Sequence, residues 1–113
     1  MIYHIARMNE WENWIQDSQY SPPSLLDEGF IHCSVKDDLV ESARCWFGDE
    51  DTLVVLCIDP LEITAEIRYE NSAERSSAMP HIFGPVPVHA IQSILIMSRD
   101  AGGKYILQES PEL

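Results

Sequence analysis

The chain has 113 residues, 45% apolar and 23% charged, with nineteen acidic residues against seven basic ones for a net charge of −12. That size predicts one domain, residues 1–113 with a core over about 2–107 and a frayed tail over 108–113. The charge excludes long-range attraction to nucleic acid or anionic membranes, and no apolar run nears the ~20 residues that span a bilayer.

The start, Met1-Ile2-Tyr3-His4, has neither the basic nor the apolar part of a signal peptide, so the expected location is cytoplasmic. Cysteines stand at Cys33, Cys45 and Cys57, an odd count without a C-x-x-C, which is neither a disulfide framework nor a zinc ribbon. Cys45 and Cys57 sit among large apolar residues and read as core thiols.

Tyr3-His4-Ile5 reads as a first strand. Asn9, with Glu12 in a capping-box position, predicts a helix to about Asp17 whose apolar stripe is Trp11, Trp14 and Ile15. Ser21-Pro22-Pro23-Ser24 predicts a stiff loop, because neither proline can donate a hydrogen bond. Phe30 to Cys33 reads as a strand with Phe30, His32 and Ser34 on one face and Ile31 and Cys33 on the other. That alternation argues against a Cys33–His32 nucleophilic pair.

Ser34 or Asp37 caps a second predicted helix ending near Gly48, with Leu39, Val40, Ala43, Trp46 and Phe47 as its buried side. Leu53 to Ile58 has no polar alternation and predicts a central strand covered on both faces. Glu66 to Glu70 alternates as a strand with one wet face, and Asn71 to Ala78 predicts a mobile loop. Pro80, Pro85 and Pro87 exclude a helix and predict an edge or very short strand. Ile91 to Met97 and Lys104 to Leu107 complete the sheet through an Asp100–Gly103 turn. The expected class is α+β, two early helices packed on a mostly antiparallel sheet.

Two segments carry the chemistry: Gly29-Phe30-Ile31-His32-Cys33-Ser34 and Met79-Pro80-His81-Ile82-Phe83-Gly84-Pro85-Val86-Pro87. Each sets one histidine in an apolar frame, where a buried imidazole needs a hydrogen-bond partner. Together they predict one shared pocket. His32 and His81 are the candidate proton-handling groups, since histidine changes charge near neutral pH. The alternative for each is a structural histidine satisfied by the backbone or capping a strand end.

Ser34 shares the His32 face, Glu70 stands where a carboxylate would orient a histidine, and Gly84 permits close approach of a ligand to the backbone. His4 joins them if the first strand adjoins. His89 reads as structural. His4, His32 and His81 would supply three metal ligands if they converged, but no H-x-H, H-E-x-x-H, Walker or Rossmann spacing occurs.

These motifs, with Ile2-Tyr3-His4-Ile5, Ser24-Leu25, Asp59-Pro60 and Tyr69-Glu70, resemble the domain-of-unknown-function family 952, whose members are small, mainly bacterial proteins. The resemblance runs from Ile2 to about Met97. Met79 stands where that family often has an aromatic, and Phe83 where it often has a tyrosine. The family in turn looks like a distant relative of ADP-ribosyltransferase-like folds, which include the RNA 2′-phosphotransferases and bind a nicotinamide dinucleotide between two small sheets. The resemblance implies a sheet split into two small ones, and NAD as the ligand to test. His4 would help hold the dinucleotide, and the His32–Ser34 face would line its nicotinamide pocket. His81 or Glu70 would stand near the third motif. Ser24, Phe30, Phe83 and Gly84 would be further ligand contacts. The late-strand catalytic glutamate usual in those folds has no clear counterpart.

Three functions compete. The first is an ADP-ribosyltransferase-like enzyme or NAD glycosidic-bond hydrolase using His32, His81 and Glu70. The second is a non-enzymatic module for a small molecule or peptide end. The third is a metal-dependent hydrolase using His4, His32 and His81.

Overall fold

The structure is a computed structural model that describes residues 1–8, 10–71 and 78–109. Its main sheet is antiparallel, in the order β1 (Ile2–Arg7), β5 (Thr52–Ile58), β9 (Ile91–Arg99), β10 (Tyr105–Glu109). Every residue from Leu53 to Ile58 is buried, as the unbroken apolar run requires of a strand covered on both faces. On one face Leu53 and Val55 pack with Ile5, Met97, Tyr105 and the Leu39 and Ala43 side of helix α2 (Leu39–Phe47). On the other, Val54, Leu56 and Ile58 pack with Ile2, Tyr20, Ile31, Ile82 and Val86.

Those last residues come from two small antiparallel sheets. One runs β2 (Ile15–Gln16), β3 (Gln19–Tyr20), β8 (Val86–Pro87); the other runs β4 (Ile31–His32), β7 (Ala78–Ile82), β6 (Ile67–Asn71). A bridge from Tyr3 to Ser34 joins the free side of β1 to the chain just beyond β4. The α+β class stands, with three sheets where one or two were expected.

The first predicted helix is not there. Trp11–Trp14 forms one 3-10 turn, and the chain then reverses through β2 and β3. Asp17 and Ser18 make this reversal at φ 55° and 62°, the left-handed pair that a two-residue hairpin demands. Burial of Trp11 and Ile15 against the core outweighs the helical spacing. The expected Asn9 cap lies outside the described residues.

Pro22-Pro23 does not hold an irregular loop. Pro23 opens a short helix, α1 (Pro23–Asp27), where a missing N–H costs nothing. On α2, Val40 and Trp46 are exposed rather than buried, because only the Leu39–Ala43 side meets the sheet. Cys57 is buried as expected, but Cys45 is exposed on the outer side of that helix.

The proline-rich strand is not an edge. β7 is the middle strand of its sheet, and Pro80 sits within it. The Cys33 N–H donates to the Pro80 carbonyl at 3.0 Å, but Pro80 has no N–H to return. The missing bond falls just past the end of β4, so a proline fits an inner strand there. The predicted loop over 71–78 lies largely in residues outside those described; Asn71 and Ala78 themselves end β6 and β7. Gln108 and Glu109 belong to β10 rather than to a frayed tail.

Candidate functional site

His32 and His81 are cross-strand partners between β4 and β7. Because the next pair, Cys33 and Pro80, carries the backbone hydrogen bond, His32 and His81 form the non-hydrogen-bonded pair, in which side chains stand closest. Their ring centroids lie 5.4 Å apart at 75°. Phe30 stacks on His81 at 4.4 Å and meets His32 edge-on at 4.7 Å.

Each imidazole is tied to its own carboxylate. His32 donates Nε2–H to Glu28 at 2.9 Å. Gly29, at φ +88°, turns the chain between α1 and β4 and lets Glu28 reach back to His32. His81 donates Nδ1–H to Glu70 at 2.7 Å. Glu70 lies diagonally opposite on β6, where Arg68 is the direct partner of His81. His32 is exposed and His81 buried.

Behind them sits a third imidazole. His4 points from β1 to the small-sheet side, opposite Leu56. It donates Nδ1–H to the His32 carbonyl at 2.7 Å and accepts at Nε2 from the Tyr20 hydroxyl at 2.8 Å. Burial lowers its pKa from 6.5 to about 4, so the ring is neutral at physiological pH. Burial likewise pushes the Tyr20 phenol and the Cys33 thiol up, so neither ionises near neutrality. Ser34 donates to Ser42 Oγ at 2.8 Å, pinning α2 to the end of β4.

These groups surround a cleft of about 650 Å³. His4, Ser24, Phe30, His32, Ser34 and His81 all line it, so six of the residues singled out from the sequence come together. Glu70, Phe83 and Gly84 do not line it. Glu70 reaches the site only through His81. Phe83 lies beyond Phe30, at 5.4 Å, under the Arg68 guanidinium. Gly84 packs tightly instead: a Cβ there would stand 2.7 Å from the Ala65 Cβ. His89 is exposed and faces Glu62 at 3.8 Å.

The cleft also uses residues that the sequence did not single out: Glu10, Glu28, Tyr20, Trp14 and Trp46. Only Glu28 had a visible signal, its four-residue spacing from His32 across a glycine. The three histidines do not stand as a metal centre in this arrangement. Both His4 nitrogens are committed, which leaves no lone pair for a metal. Among the described residues, no three His, Cys, Asp or Glu side chains converge as ligands.

Residues 5–94 match the family described as protein of unknown function (DUF952). The chain belongs to the DUF952 family. Its architecture is similar to that of CC0527 from Caulobacter crescentus, a structural genomics target. The crystal structure of that protein is 25% identical, with 93% of this chain and 92% of that chain covered and a TM-score of 0.78. A double mutant of the same protein gives the same values. Its solution NMR structure is 27% identical, covering 91% of this chain and 89% of that one, with a TM-score of 0.71. No curated protein matches the chain. Among the described residues, no helix is long and apolar enough to cross a membrane.

Proposed function

We propose that this DUF952 protein binds a small molecule with a flat ring, of the nicotinamide dinucleotide class, and acts on the bond beside that ring. The observation that carries the reading is the facing pair His32 and His81, each oriented by its own carboxylate at the wall of an aromatic cleft. Clefts of this size, mostly apolar with a few convergent polar groups, are the usual sites of small ligands.

The roles follow from geometry. Phe30 and Trp46 line the cleft as aromatic walls for a ring. His81, bonded to Glu70 through Nδ1, keeps a lone pair at Nε2 and serves as general base toward water. Water adds to the anomeric carbon, the bond to the ring nitrogen breaks, and its electron pair stays on the departing nicotinamide. The proton of the water passes to His81 and then to solvent. Glu28, rather than Glu70, is the lining carboxylate that faces positive charge developing on the ribose. Glu70 is a positioning residue, because its oxygen meets His81.

Titration with NAD to millimolar concentration, following the imidazole signals of His32 and His81 by NMR, tests the reading. Both sets of signals move if it holds, and nicotinamide is released on longer incubation. Unmoved signals overturn it. Movement without release over days leaves the cleft as a non-enzymatic binding site.

A further inference from the structure

We propose that the cleft selects a flat or compact organic cation, such as a pyridinium or quaternary ammonium head, over a neutral group of the same shape. The proposal rests on the ligand-binding reading above and narrows its ligand. It comes from what the cleft wall presents. Trp46 and Trp14 both line it, yet they stand 52% and 39% exposed. Tryptophan has the largest apolar area to bury and the most electron-rich ring face, so indoles left half in water around a cavity are well placed to receive a cation.

The charges agree. Glu10 and Glu28 line the cleft. Among the described lining residues the single lysine or arginine is Arg7, and its charge is already met by Glu50 at 3.4 Å. Arg7 also lies 5.2 Å from the centre of the Phe47 ring, so one lining aromatic already holds a cation. His4 is held neutral by its two hydrogen bonds and its burial. With −12 on the whole chain, the field at the cleft draws cations in and disfavours free anions. Desolvation then sharpens the discrimination, because ring faces stabilise a cation most where water is excluded.

The same chemistry reaches the cleft either as the oxidised ring of a dinucleotide or as a free organic cation, so the test separates them. Three pairs are titrated by calorimetry: ring-N-methylated nicotinamide against nicotinamide, choline against its neutral tert-butyl isostere, and oxidised against reduced NAD. In each of the first two pairs the cation should bind about tenfold more tightly, the scale of one partly desolvated cation–π contact. Trp46→Leu, which keeps an apolar side chain at an exposed helical position, should remove most of that preference; Trp14→Leu is the second variant.

Equal affinity within both small pairs, or no binding by either cation, overturns the proposal. So does a preference that survives in both tryptophan variants. If oxidised and reduced NAD bind equally and the small pairs show no preference, this inference fails while the dinucleotide reading stands. If methylated nicotinamide or choline binds and NAD does not, the dinucleotide reading fails and the cation proposal stands.

Discussion

His4 holds the main chain of His32: its Nδ1–H meets the His32 carbonyl at 2.7 Å. A buried ring on the edge strand of the large sheet thus fixes the backbone beneath an exposed ring on a two-residue strand. Tyr20, on a third element, closes the other nitrogen. Three separate pieces of chain meet at one neutral imidazole.

Stability should fall as acid reaches that ring. In the folded protein His4 binds a proton only near pH 4, while unfolded it does so near 6.5. Above 6.5 neither state is protonated there, and the folded form keeps its full advantage. Between 6.5 and 4 the unfolded chain binds more protons, so stability declines with pH. At ~1.4 kcal/mol per pH unit the decline reaches roughly 3 kcal/mol. Urea unfolding of wild type and His4→Gln across this range should show that extra loss in wild type alone. Parallel pH curves would refute the assignment.

Tyr20→Phe should cost about 1–3 kcal/mol, because His4 Nε2 then loses its donor in a buried setting. The apolar ring is kept, so the loss reports the hydroxyl. The unfolding midpoint in denaturant measures it, and an unchanged midpoint would mean that another donor has taken over.

Glu70 and Glu28 should hold their histidines in opposite tautomers. When neutral, His81 carries its hydrogen on Nδ1 and His32 on Nε2. Nitrogen NMR of the imidazoles reads this directly. Glu70→Ala should move His81 toward the Nε2–H form and leave His32 as it was. A His81 spectrum indifferent to the change would remove Glu70 from its positioning role.

Gly84→Ala should destabilise by about 1–3 kcal/mol through overpacking against Ala65, whose Cβ would be 2.7 Å away. Ala65→Gly should relieve the clash, so the double variant should be more stable than Gly84→Ala alone. A thermal-melting cycle checks the coupling. Purely additive effects would show that the two residues do not meet.

The sequence announced β5 and the two histidine segments because each is a local signal: an unbroken apolar run, or an imidazole framed by apolar residues. Six candidate residues converge, since motif and strand alternation together fix which side chains share a face. What stayed hidden depends on tertiary context. The Trp11–Tyr20 segment has helical spacing, yet core contacts and two left-handed residues make it a turn and hairpin. Trp46 fits an apolar helical stripe, but the helix leaves this indole half exposed at the cleft rather than in the core. Tyr20 has no motif at all; only folding brings it to His4. Gly84 stood out in its motif, but its packing against Ala65 appears only in the fold.

Pro80 has one more consequence. An amide at that position would add a second hydrogen bond between Cys33 and the middle strand, beside the paired imidazoles. Without that hydrogen the Cys33–Pro80 pair keeps one bond, while the Ser34 N–H and carbonyl, on the other side of the strand, pair with Tyr3 of β1. At the rung beside the paired imidazoles the small sheet is held by one bond where an amide would give two, for want of an atom that proline does not have.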